Sequence, residues 1–155
     1  LIVKDKEKNV VASVTLVFDG SSRLPAEKIY SHELNILRSQ KEKIVEISRL
    51  VIAPNYRFSK EILVLLFNYL YIYSYFVKEY TCLAIEVNPR HTCYYKELLH
   101  FREIGTEKQC PNVKNAPAIL MYLPLNFCRK EVLKFAPITE PQKKIKSVTK
   151  KKKRK

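Results

Sequence analysis

Glycine is nearly missing from this chain: Gly20 and Gly105 are the only two in 155 residues, where an average chain holds about 7%. A phosphate cradle made of successive flexible glycines therefore starts at a disadvantage. The four cysteines, Cys82, Cys93, Cys110 and Cys128, form no CxxC pair, and their spacing to the three histidines fits no zinc site, so no metal is expected. Cys82 opens an apolar run and reads as core; a reduced, cytoplasmic setting is the default, with two disulfides as the weaker alternative. No signal peptide opens the chain. It begins with Leu1, not Met, so a fragment or processed form is expected. Nor is there a run of about 20 apolar residues, the length a membrane span needs. The longest run, residues 62–77, has 16 residues, four tyrosines, Asn68 and Ser74. It reads as a buried helix, with an interfacial or membrane role as the lesser alternative.

Acids are absent from residues 142–155, which hold nine Lys and Arg. Residues 1–141 keep 20 basic and 15 acidic groups, a net of +5 out of the total +14. The fold itself is thus only moderately basic. One domain is expected over 1–136, followed by a basic, disordered tail over 137–155, where like charges repel and little apolar surface remains. Three roles fit that tail: a solvated end, weak contact with anionic membrane or nucleic acid, or attraction of an acidic partner. No aromatic interleaves with its lysines, so specific nucleic-acid recognition is poorly supported.

Apolar content is 46%, enough for a core. Val10–Phe18 is β-branched and ends at Asp19-Gly20, a strand and a turn. After Pro25, Ile29, Leu34 and Leu37 recur at helical spacing. Ile44–Ile52 reads as a central strand, with Val45, Ile47 and Arg49 on one side and Ile44, Glu46, Ser48 and Leu50 on the other. Ser59 suits the N-cap of the long helix that follows. Cys82–Val87 is a second apolar strand, closed by Asn88-Pro89; a helix is expected over 92–100, a short strand within 101–107, and the last strand over 118–123. That order predicts an α/β fold: a mixed central sheet with crossover helices on its faces.

Several strings then converge. They are Val45-Glu46-Ile47-Ser48-Arg49-Leu50 leading to Pro54-Asn55-Tyr56-Arg57; Val87-Asn88-Pro89-Arg90-His91; Tyr94-Tyr95-Lys96-Glu97-Leu98-Leu99-His100-Phe101 with Ile104-Gly105; and Asn115-Ala116-Pro117-Ala118. In this order the chain resembles the GNAT-like N-acyltransferases, and within them the N-acyl amino acid synthases, relatives of the homoserine-lactone autoinducer synthases. The resemblance covers about residues 9–126. It implies a GNAT-like fold that moves an acyl group, of long chain in known members, from an acyl carrier protein to the amino group of an amino acid or related small amine. It also implies more chain before Leu1, including a first strand and helices near the acceptor pocket. No permanently bound cofactor is implied; the donor is an acyl-phosphopantetheine on a carrier protein, or acyl-CoA.

Two departures stand out. The family's phosphate loop, Arg/Gln-x-x-Gly-x-Gly/Ala, is here Arg57-Phe58-Ser59-Lys60-Glu61, without glycine. Side chains there would crowd a coenzyme A pyrophosphate, whereas a carrier-bound phosphopantetheine brings one phosphate fewer. His100 stands where the family commonly has glycine.

Aminolysis of a thioester needs a neutral amine, a donor for the oxyanion and a proton for the thiolate. An α-amino group has a pKa of about 8, so a weak base suffices. Glu46 is the candidate base, against an equal reading in which it pairs with Arg49 or another cation and is structural. The oxyanion is expected at backbone N–H groups of Leu50, Val51 and Ile52. The resemblance places a proton-donating tyrosine on the helix after the splayed strand; Tyr95 matches best, ahead of Tyr94, and packing is the plain alternative. Arg57, Ser59 and Lys60 open the long helix, where phosphate binds, or else form a solvated basic turn. His91 follows the second strand as a secondary catalytic candidate, Asn88 as a cap and donor-binding candidate, and Ser48, Arg49 and Arg90 as structural or substrate-orienting residues. The competing functions are a coenzyme A-dependent acetyltransferase and a non-catalytic GNAT-like module acting through its tail.

Overall fold

A computed structural model describes residues 1–20, 22–57 and 59–135. The lysine-rich segment expected over 137–155 lies outside the described residues. The elements are β1 (Ile2–Lys4), β2 (Val10–Phe18), α1 (Glu27–Ser39), β3 (Ile44–Ile52), α2 (Lys60–Tyr71), β4 (Cys82–Val87), α3 (Thr92–Leu99), β5 (Arg102–Glu103), β6 (Lys108–Cys110), β7 (Ala116–Pro124) and α4 (Leu125–Phe135). The strands form one sheet in the order β1-β2-β3-β4-β7-β5, with β6 also on β7. Only the β3–β4 pair is parallel; the others are antiparallel. The predicted mixed sheet is therefore present.

Helices cover both faces. On one, Leu63, Leu66, Phe67 and Leu70 of α2 pack on Val45, Ile47, Leu83 and Ile85, joined by Phe101 and Leu125. On the other, Leu34 and Leu37 of α1, with Leu24, Ala26 and Tyr30, pack on Ile44, Cys82, Ala84 and Leu120. The split follows the two-residue repeat of β3 and β4, which are buried on both sides and so read as nearly continuous apolar runs.

α2 begins where expected: Ser59 Oγ accepts from the Ile62 N–H at 3.4 Å. It runs on as a π-helical stretch, Ile72–Val77. The sequence reading of a buried helix holds for one face only. Val64, Leu65, Tyr69, Ile72, Tyr73, Phe76 and Val77 are exposed. Among the described residues no helix is long and apolar enough to cross a membrane.

Five elements differ from expectation. β1, β6 and α4 were not foreseen, and the strand expected within 101–107 is reduced to Arg102–Glu103. β3 departs most informatively. Thr15 pairs with Ser48 and Ser13 with Val51, so β3 carries one extra residue opposite Val14. Arg49 takes it up at φ 51°, a left-handed value unusual for a side chain of that size. The bulge inverts the predicted alternation: Leu50 and Ile52, not Arg49, join Val45 and Ile47 on the α2 face.

α1 is kinked at Tyr30 (φ −121°, ψ 29°). The buried phenol donates to Ala118 O at 2.6 Å and is also 2.9 Å from Thr106 O. Gly105 lies against that ring: a Cβ there would stand 2.5 Å from Tyr30 Cε1 and 3.1 Å from Leu120 Cβ. Because the ring is held at its hydroxyl, it has little room to retreat. Gly105→Ala is expected to lower stability by about 1–3 kcal/mol, the usual cost of overpacking; urea unfolding of the two proteins measures it, and equal midpoints would refute the tight fit.

Candidate active site

β3 and β4 part beyond their shared apolar stretch. Their pairing runs from Ile44↔Cys82 to Ile47↔Ile85 and stops. β3 continues to Ile52, turning at its bulge, while β4 stays on β7 through Glu86↔Leu120 and Val87↔Ile119. Past Ile47, β3 has no strand partner on its β4 side among the described residues. Leu50, Val51 and Ile52 lie on this departing arm, Leu50 and Ile52 half-buried and Val51 exposed. The result is a slot edged by main chain.

Glu46 sits on β3 just before the slot, 3% exposed. Its Oε2 accepts from the Ala26 N–H at 2.9 Å. The reading that paired it with Arg49 fails: the bulge turns Arg49 out to solvent, and the partner of Glu46 is a backbone N–H. Burial pushes the carboxyl up to about 7; the Ala26 N–H opposes the shift, and the charges of Glu86 and Glu27 add to it.

Tyr95 comes from the opposite face. Asn88 Oδ1 accepts from the Arg90 N–H at 3.2 Å and caps a 3₁₀ turn, Pro89–His91, that launches α3. The Tyr95 ring packs edge-on against Phe67 at 6.3 Å and Phe101 at 5.9 Å. Its hydroxyl makes no hydrogen bond among the described residues. Burial, with the neighbouring Tyr94, pushes its pKa up to about 12, so the phenol keeps its proton at neutral pH. Tyr94 is more exposed, at 39%, and burial raises its pKa too. Glu46 and Tyr95 thus lie on opposite faces of the sheet.

The remaining candidates are peripheral. Arg90 Nε donates to His91 Nε2 at 3.0 Å on the surface. Arg57 and Lys60 are exposed beside the half-buried Ser59 at the start of α2. Ser48 is half-buried on β3. His100 closes α3 in a left-handed conformation (φ 59°), the geometry that makes glycine common at such a position. A cleft of about 620 Å³ lined by residues including Asp19, Arg38, Lys43 and Tyr80 lies beside the other ends of β3 and β4, away from the slot.

The sequence reading missed Glu86. It lies on β4, half-buried, its Oε2 accepting from Cys110 Sγ at 3.3 Å, and burial raises its pKa. The available signal was one acid in the otherwise apolar string Cys82-Leu83-Ala84-Ile85-Glu86-Val87.

A mixed sheet that splays at its parallel pair, flanked by these helices, is the GNAT-like acyltransferase fold. The family N-acyl amino acid synthase FeeM matches residues 1–124, and the chain belongs to that family. The structure of FeeM, an N-acyl amino acid synthase from uncultured soil microbes, is 27% identical with a TM-score of 0.72, covering 81% of this chain and 72% of that one. Spermidine/spermine N-acetyltransferase SpeG from Vibrio cholerae shares the fold at 20% identity and TM-score 0.56, covering 84% of this chain and 66% of that one. Spermidine N-acetyltransferase from the same organism, in complex with CoA and spermine, does so at 21% identity and TM-score 0.52, covering 81% and 64%. No curated protein matches the chain. The chain is an acyltransferase.

The Glu46 shift sets a sign for stability. Its folded pKa lies above the unfolded value, so its contribution is fully present below about pH 4.5 and is lost as pH rises through about 7. Glu46→Gln, which can still accept from Ala26, is expected to gain on the native protein by up to roughly 3 kcal/mol between pH 5 and 8. Urea unfolding across that range checks it; parallel curves would show that Glu46 does not titrate there.

Proposed function

We propose that this acyltransferase moves a long-chain acyl group from an acyl carrier protein to the amino group of an amino acid or related small amine in the cytoplasm. The end of β3–β4 pairing at Ile47↔Ile85 carries the proposal. A pantetheine arm is an extended chain of amides, and a slot edged by backbone offers it strand-like hydrogen bonds.

In this reading the thioester lies in the slot with its carbonyl oxygen toward those N–H groups of the Leu50, Val51 and Ile52 arm that are turned away from β2. The acceptor ammonium gives one proton to Glu46, which passes it to solvent. The neutral nitrogen attacks the carbonyl carbon, the C–N bond forms and the C–S bond breaks. Tyr95 protonates the departing thiolate and is restored by the second proton leaving nitrogen. Arg57 and Lys60 hold the pantetheine phosphate, and Ser48, Arg49, Asn88, Arg90, His91 and Tyr94 line or orient the approach. The glycine-free stretch at Ser59 favours a carrier over coenzyme A, because it offers less open backbone for a pyrophosphate.

Incubation with long-chain acyl carrier protein and mixed amino acids, read by mass spectrometry, should give N-acyl products, with none from acetyl-CoA. Product from acetyl-CoA alone would move the protein to the acetyltransferases, and no product from any donor would sink the transferase reading. Tyr95→Phe should lower kcat about 10²–10⁴-fold with donor affinity kept; an unchanged rate removes Tyr95 from the mechanism.

A further inference from the structure

Glu86 is unexplained by the chemistry above. Glu46 stands level with Ala84 across the parallel pair, so Glu86 is one two-residue repeat further along β4 on the same face, beyond the last β3–β4 pair. Its partner on β7 is Leu120, which belongs to the cluster under α1. Glu46 and Glu86 therefore flank the mouth of the slot on the α1 side, one on each diverging strand.

The polar groups of Glu86 are only half satisfied. Oε2 receives the Cys110 thiol. Oε1 is fully buried with no hydrogen-bond partner among the described residues. Such an oxygen is costly unless something supplies a donor. Lys108, on the same α1 side, is engaged elsewhere: its Nζ bonds Glu33 Oε1 at 2.8 Å and Ile29 O at 2.9 Å, above the Tyr30 ring. No ion pair reaches Glu46 or Glu86 among the described residues. Two carboxyls thus lie on one face of the sheet where β3 and β4 part, and one buried acceptor atom has no protein donor among the described residues.

We propose that Glu86 anchors the acceptor's ammonium group, so that this mouth selects a cationic amine and presents its nitrogen to Glu46. The assignment rests on the acyl-transfer reading for its purpose, though not for its test. It also divides the labour between the two acids. Glu86 accepts a hydrogen bond from the ammonium, and Glu46 takes the proton.

Phenethylamine, an ammonium at pH 7.5, and 2-phenylethanol, its neutral counterpart in shape, separate charge recognition from apolar fit. NMR titration of the full chain should show the amine binding about tenfold or more tightly than the alcohol, the range of a hydrogen bond to a charged group. Glu86→Gln should erase that preference while leaving the alcohol's affinity unchanged and without lowering the melting temperature, which a merely structural role would not do. Equal binding of amine and alcohol by the native protein, or an intact preference in Glu86→Gln, overturns the assignment. If Glu86→Gln does not fold, Glu86→Asp carries the test: its carboxylate, withdrawn by one methylene, should weaken amine binding severalfold, and unchanged affinity overturns the assignment. Charge-selective binding without acyl product from any donor would support Glu86 and sink the transferase reading. Acyl product with an amine KM unchanged in Glu86→Gln would do the reverse.

Discussion

The site depends on one backbone event, the extra residue in β3 at Arg49. Two parallel strands of matched twist would stay paired to their ends, and their N–H and C=O groups would satisfy one another. Here pairing ends at Ile47↔Ile85, and the left-handed Arg49 follows two residues later. A bulge bends its strand and sharpens the local twist. β3 is held on its other side by β2, through Ser13↔Val51 and Ala12↔Ile52. β4 is held by β7. Each arm keeps one outer partner, so the sheet opens at a single seam without losing either strand. A residue with a Cβ in the left-handed region costs of order 1 kcal/mol or more. The surrounding ladder over-determines the conformation and sustains that cost.

The seam also explains why charged groups are buried at one end of the sheet. Ile44, Val45 and Ile47 belong to a closed core, while Glu46, in the middle of them, is tied among the described residues only to the N–H that opens the turn into α1. A carboxylate so placed shifts toward its neutral form, which suits a group that must take up a proton near neutral pH. On the opposite face Tyr95 is surrounded by Phe67, Phe101 and Tyr94. There burial acts in the same sense, favouring the protonated form. One physical cause, desolvation, thus leaves a carboxyl that titrates near 7 on one face of the sheet and a phenol that keeps its proton on the other.

The parts of this arrangement that repeat along the chain were legible in the sequence. β2, β3 and β4 have the bounds that β-branched runs and their punctuation suggest, and Ser59 and Asn88 cap as their chemistry predicts. β1, β5 and β6 have three, two and three residues, too few for a two-residue repeat to register. The bulge left no mark because no glycine stands at it; by regular alternation Arg49 reads as a strand residue on the side of Val45 and Ile47. Glu86 was hidden by its company, since an acid between Ile85 and Val87 looks like an exposed position on a core strand. Tyr30 was hidden because its phenol bonds carbonyls 76 and 88 residues away, which no local pattern encodes.

The start of α2 bears on the choice of donor. Glycine-rich loops bind pyrophosphate by turning several free N–H groups toward it at a helix N-terminus. Here Ser59 Oγ already accepts from the Ile62 N–H and donates to Glu61 Oε2 at 2.8 Å. One of the few unpaired donors of the first turn is taken, and a carboxylate stands beside it, where it opposes a second anion. Arg57 and Lys60 add positive charge at the surface, which serves a single phosphate approached from solvent better than a doubly charged linkage lying along the main chain. Self-capping at this helix and the missing glycines are two aspects of one feature. Both favour a donor that brings one phosphate, which is why the proposed reading takes a carrier-borne thioester over coenzyme A.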